Sequence, residues 1–113
     1  MTYNQNIGNN DPVLSIIKSY DLAIFHARKA REEWGKNESK VSLVNVEKAL
    51  NRVSNKKLPM IPQLKPLYHY YHRLLIEAQR GNKKSLDEFL QHFEELKNTW
   101  VLARKLFMNK KSA

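Results

Sequence analysis

Four histidines are the only side chains in this 113-residue chain that titrate near neutrality, and His69-x-x-His72 sets two imidazoles on neighbouring positions of one helical face. A metal centre built on that pair would need further ligands. The nearest following carboxylate, Glu77, stands five residues past His72 and off that face, while His26 and His92 belong to other segments. No metal is therefore expected, and the histidines read as exposed or half-buried neighbours of tyrosines. Cysteine is absent, which removes disulfides, thiol catalysis and Cys-based zinc or iron–sulfur sites. No ordered Ser-His-Asp set, paired-carboxylate signature, P-loop or glycine-rich dinucleotide turn occurs, so neither an enzyme nor a cofactor is expected.

Tyr68, Tyr70 and Tyr71 fall within one helical turn. One reading makes them core, with hydroxyls reaching toward water. The other makes them a recognition surface, because tyrosine offers rigid contact area at low entropy cost, and the two are compatible. Charge is the other unusual feature: 20 Lys+Arg against 11 Asp+Glu leave a formal +9, and eight of those net charges lie in residues 36–84. A solvated lysine face needs no partner, and without clusters of base-reading side chains no nucleic acid is expected. The local excess reads more narrowly as a basic flank that steers an acidic or polar partner.

The elements that must carry these side chains follow from periodicity and punctuation. Asn10-Asp11-Pro12 combines a capping carboxylate with proline at the first helical position. A helix is predicted from there, with Leu14, Ile16, Ile17, Tyr20, Ala23, Ile24, Ala27, Ala30 and Trp34 on a broad stripe and Gly35 as its stop. A shorter, more basic second helix carries Leu43, Val46, Leu50 and Val53, with Ser42 as its predicted cap. Residues 55–66, with Pro59, Pro62 and Pro66, are predicted to be an extended connection. Leu67, Tyr68, Tyr71, Leu74, Leu75 and Ala78 define a third helix, Leu67 to Arg80, closed by Gly81. The fourth opens on the capping box Ser85-x-x-Glu88, and Leu86, Phe89, Leu90, Phe93, Leu96, Trp100, Ala103, Leu106 and Phe107 form its stripe. The expected architecture is all-α: an antiparallel four-helix bundle over residues 11–113 behind a flexible leader, residues 1–10. No segment is apolar enough to span a membrane and MTYNQNIGNN is no signal peptide, so a cytoplasmic location without membrane attachment is expected.

Three blocks in order resemble one family. LYHYYHRLLIEA (Leu67 to Ala78) and FEELKNTWVLARK (Phe93 to Lys105) are similar to the closing helices of the flagellar export chaperones of the FliS family. Asp11-Pro12, Leu14-x-Ile16-Ile17 and Tyr20-Asp21-x-Ala23-Ile24 resemble the opening of that family, and Tyr3-Asn4-Gln5 its tyrosine leader. The chain departs from the pattern at Leu22, His69 and Leu74, where relatives carry glycine, aspartate and arginine, and in its strong positive charge.

The resemblance implies a cytoplasmic chaperone that binds the disordered C-terminal segment of flagellin, blocks premature polymerisation and serves the flagellar export machinery without nucleotide. A helical bundle suits this, because its grooves can take the apolar face of a segment that folds on binding. The candidate groove residues are Ile16, Ile17, Tyr20, Ala23, Ile24, Tyr68, Tyr71 and Leu75, and the resemblance implies a lid carrying Tyr3 and Ile7. The charge leaves a small basic nucleic-acid-binding helical protein as one alternative, and a helical adaptor for another flagellar or secreted partner as a second.

Overall fold

The computed structural model describes residues 11–55 and 61–112; the leader, with Tyr3 and Ile7, lies outside them. Four helices make up the described fold: α1 (Pro12–Glu32), α2 (Asn37–Ser54), α3 (Ile61–Gln79) and α4 (Lys83–Ser112). Each lies beside two others in the cyclic order α1, α2, α3, α4, which leaves α1 and α3 facing each other across a diagonal. The turns Glu33–Lys36 and Arg80–Asn82 reverse the chain within four residues, so sequential helices run antiparallel. This is the expected four-helix bundle.

Local chemistry sets the ends. Asp11 Oδ1 accepts the Leu14 amide at 2.9 Å while Pro12 occupies the first helical position, as the Asp-Pro pair predicts. Behind α3, Asn82 N–H reaches Glu77 O at 3.0 Å and Gly81 N–H reaches Ala78 O at 3.0 Å, a Schellman closure whose φ of 103° at Gly81 suits only glycine. Gly35 takes the left-handed region, φ 87°, in the turn between α1 and α2, where Lys36 N–H reaches Glu33 O at 2.9 Å.

Four expectations need correction. Ser42 does not cap α2, which starts at Asn37 after an extended Lys36 with no capping side chain; Ser42 is buried inside the helix, its hydroxyl 3.5 Å from Glu33 Oε1. The box at Ser85 gives way to Asn82, whose Oδ1 accepts the Ser85 amide at 3.3 Å, because the helix begins at Lys83 and Ser85 already lies in its first turn. Trp34 packs against the core from the turn rather than from α1. Residues 61–66, expected to be extended, are the start of α3. Pro62 sits in the first turn, where no amide partner is needed, and Pro66 removes one bond inside the helix. Leu64 and Leu67 pack against the core and offset that loss.

The core uses the predicted stripes from Ile16 to Trp100, with Leu14 outside it. Beyond Trp100 the α4 stripe leaves the bundle: Ala103 and Leu106 are exposed, and the side chain of Phe107 lies outside the described set. The reason is length. Arg104 pairs with Asp11 at the very start of α1, so later residues of the 30-residue α4 run past that end of the bundle.

Candidate functional site

Where the helices face inward, aromatic rings fill the centre. Tyr20 of α1 stacks on Phe93 of α4 with ring centroids 4.3 Å apart, and Phe93 stacks on Phe89 at 4.8 Å. Tyr71 of α3 meets Phe89 and Phe93 edge-on at 5.7 and 5.3 Å. Such rings cannot be buried with their polar ends unpaired. The hydroxyls of Tyr20 and Tyr68 lie 2.8 Å apart across the α1–α3 diagonal, and Trp100 Nε1–H donates to Tyr20 Oη at 3.1 Å. Tyr20 is thereby an acceptor from α4, which leaves its own proton free to be donated to Tyr68.

Burial disfavours ionisation of these phenols. It drives the Tyr20 hydroxyl far above its ordinary value, and the bond to Tyr68 adds to the effect. Tyr68 is also raised by burial, and Tyr71 is pushed up to about 12 by burial and by the neighbouring charges of Tyr68 and Glu95. The centre is thus a neutral, hydrogen-bonded lock across three helices.

All eight candidate groove residues sit in this core, none more than 8% exposed. The structure brings Tyr20, Tyr68 and Tyr71 together within the aromatic cluster, and the aliphatic members fill the same core. None of the eight offers an open surface to a partner in this closed arrangement, although Ile24 reaches the wall of an external groove. Tyr3 and Ile7 lie outside the described residues.

That external groove runs between α1 and α4 and encloses about 630 Å³. Phe25, 59% exposed, stands on its α1 side, with Leu22 also exposed on α1. Charged pairs bridge the two helices along it: Lys97 with Asp21, and Arg28 with Glu94 at 2.7 Å. Asp11 and Arg104 pair at 2.8 Å toward one end, and Arg31 approaches Asp87 within 3.9 Å toward the other. Sequence reasoning missed Phe25 because it lies out of phase with the core stripe. That phase was itself the signal, since a large ring opposite the buried face has to be exposed.

The histidines separate by position. Burial, and the charge of Lys29, push the His26 imidazole below its ordinary value. His92 meets Tyr70 edge-on at 6.3 Å, and His72 Nδ1 lies 3.5 Å from Glu47 Oε1 of α2. Among the described residues no three His, Asp or Glu side chains group as metal ligands would, and no described helix is long and apolar enough to cross a membrane. No family model, curated protein or solved structure matches this chain.

Proposed function

We propose that this chain is an export chaperone of the FliS type, which holds the C-terminal segment of flagellin unpolymerised in the cytoplasm and passes it to the flagellar export machinery. The observation that carries the reading is the order of the three sequence blocks, which fall on α1, α3 and α4 and meet in one aromatic centre. A rigid bundle with that centre is a scaffold on whose outside a disordered segment can fold. The groove beside Phe25 is the surface that supports such docking: an exposed ring gives an apolar anchor, and the flanking ion pairs offer polar partners at the rim.

Calorimetric titration with a peptide of the flagellin C-terminus tests this. The expected result is a stoichiometric complex with a negative heat-capacity change from apolar burial. Phe25→Glu is expected to weaken the complex by roughly 2 kcal/mol, the scale of one buried anchor, while leaving the helical content unchanged. Absence of heat and of co-elution rejects the cargo; full affinity in the Phe25→Glu protein rejects the groove.

A further inference from the structure

The two seams of the bundle differ in charge. Along α1 and α4, opposite charges pair from Asp11–Arg104 to Arg31–Asp87. Between α2 and α3, His72 with Glu47 is the one such pair among the described residues, and from Lys48 to Ile76 the sequence holds six Lys+Arg and two His and no carboxylate. Because α2 and α3 are antiparallel neighbours, the described parts of this acid-free stretch, residues 48–55 and 61–76, lie side by side. Lys48, Arg52, Lys65 and Arg73 are exposed there, and none of them has an ion-pair partner among the described residues. The two carboxylates that flank this stretch are both engaged, Glu47 by His72 and Glu77 by Arg80.

The face is also concave. A cavity of about 260 Å³ opens between the C-terminal end of α2 and the first turns of α3, lined by Asn51, Ser54 and Asn55 on one side and Lys65, His69 and His72 on the other. The Asn51 and Asn55 amides, the Lys65 ammonium and the His69 imidazole can donate hydrogen bonds to an oxyanion, while the Ser54 hydroxyl is bonded to Asn51 O and His72 turns Nδ1 toward Glu47. Val44 of α2 and Ile76 of α3, 47% and 41% exposed, lie toward the other end of the same pair of helices.

We propose that the α2–α3 face is a binding surface for an acidic amphipathic peptide segment, seating one carboxylate in the Lys65–His69–His72 cavity and apolar side chains against Val44 and Ile76. This surface is separate from the α1–α4 groove and does not depend on the cargo assigned to that groove. Charge complementarity selects the occupant, since four exposed cations without counter-charges favour an anion. Other polyanions fit less well. Single-stranded nucleic acid binds by stacking on exposed rings, whereas Tyr68 and Tyr71 of α3 are buried. A duplex would set its phosphates against Val44 and Ile76, and an anionic bilayer requires aromatic or leucine side chains that the described part of this face does not present.

Fluorescence anisotropy of the full chain with a labelled helical peptide of Glu and Leu tests the proposal, with a DNA duplex and phosphatidylserine vesicles as competing probes. The peptide is expected to bind with an affinity that falls as salt is raised to ~150 mM. The triple variant Lys48→Glu, Lys65→Glu, Arg73→Glu is expected to lose at least ~10-fold in affinity. A control triple, Lys29→Glu, Lys83→Glu, Lys105→Glu, makes the same change in net charge at exposed positions outside that face and should lose less than about threefold. Circular dichroism must show both triples as helical as the parent, and paired single substitutions replace any triple that is not. Equal losses in the two triples, no peptide binding, or tighter binding of the duplex or the vesicles would each overturn the assignment.

Discussion

Replacing Tyr20 by phenylalanine keeps the ring that stacks on Phe93 and removes one oxygen, yet that oxygen serves two partners. Trp100 Nε1–H and the Tyr68 hydroxyl both bond to it, and both belong to residues no more than 6% exposed. A typical intramolecular hydrogen bond contributes about 1 kcal/mol, and a buried donor left without an acceptor costs about 1–3 kcal/mol. Trp100 loses its acceptor outright, so Tyr20→Phe is expected to destabilise the chain by about 3 kcal/mol. Tyr68→Phe should cost about 2 kcal/mol, less than Tyr20→Phe, because Tyr20 then still accepts from Trp100 but its own buried hydroxyl proton loses its acceptor. The double variant should cost less than the sum of the two by about 1 kcal/mol, since both single changes break the same bond. Urea denaturation followed by far-ultraviolet circular dichroism gives the three differences, and an unchanged m-value shows that the unfolding reaction is the same. Tyr70→Phe, half-buried and without a hydrogen-bond partner among the described residues, is the control. A Tyr20→Phe cost no larger than the control, or strict additivity of the pair, would refute the three-helix lock.

The same phenols set the alkaline limit. Tyr20, Tyr68 and Tyr71 ionise at higher pH in the folded chain than the ordinary value of 10.0, so their contribution is intact below that pH and falls as pH rises above it. Each costs about 1.4 kcal/mol per pH unit over that window, and unfolding monitored by tyrosinate absorbance should show a steep, cooperative onset above the ordinary value of 10.0; independent, non-cooperative titration would contradict the burial. At the other extreme, the Leu14 amide and the Arg104 guanidinium hold the Asp11 carboxyl below its ordinary 3.8, so its contribution is present above that value and is lost as pH falls through the lowered one. Asp11→Ala is expected to cost about 1–2 kcal/mol at neutral pH, and Asp11→Asn, which keeps the cap and loses the Arg104 charge pair, less; thermal melts at neutral pH that rank them the other way would place the stability elsewhere.

Helix number, order and inward faces were legible because they depend on side-chain phase, which sequence displays directly. Ile16, Tyr20, Ala23 and Ala27 repeat at the helical period, and burying any one of them buries the others. Helix starts were less legible, because several side chains compete to cap a single end. Ser85 with Glu88 and Asn82 both present the right chemistry, and the choice falls to Asn82 because Gly81 closes α3 in a way that leaves Asn82 one residue before α4. The prolines misled for a related reason: a proline disfavours a helix locally, but Leu64 and Leu67 lie on the core side of α3, and their packing extends the helix back through Pro66 to Ile61.

The candidate site was harder to read because the residues best marked by pattern are those the core claims first. Tyr68 and Tyr71 were open to two readings, and the structure gives both to the interior, with the Tyr68 hydroxyl bonded to Tyr20 and burial disfavouring ionisation of the Tyr71 phenol. What remains outside is marked by phase rather than by residue type. Phe25 follows Ile24 directly, and on a helix adjacent residues point about 100° apart, so the first is 59% exposed and the second 5%.

Charge placement obeys opposite rules at the two seams of one scaffold. Between α1 and α4 the numbering falls along one helix as it rises along the other, Asp11 with Arg104, Asp21 with Lys97, Arg28 with Glu94 and Arg31 with Asp87. Exposed pairs of this kind add little stability individually, but opposite charges in sequence favour the antiparallel register and disfavour slipped ones. Between α2 and α3 only Glu47 and His72 offer such a pair among the described residues, and register there falls to the apolar stripes of Leu43, Val46 and Leu50 against Tyr71, Leu75 and Ala78. Cations on α2 and α3 are therefore not needed to hold the helices together. Removing them should leave the fold standing, which makes the α2–α3 face a surface whose charge can be reversed in order to ask what it binds.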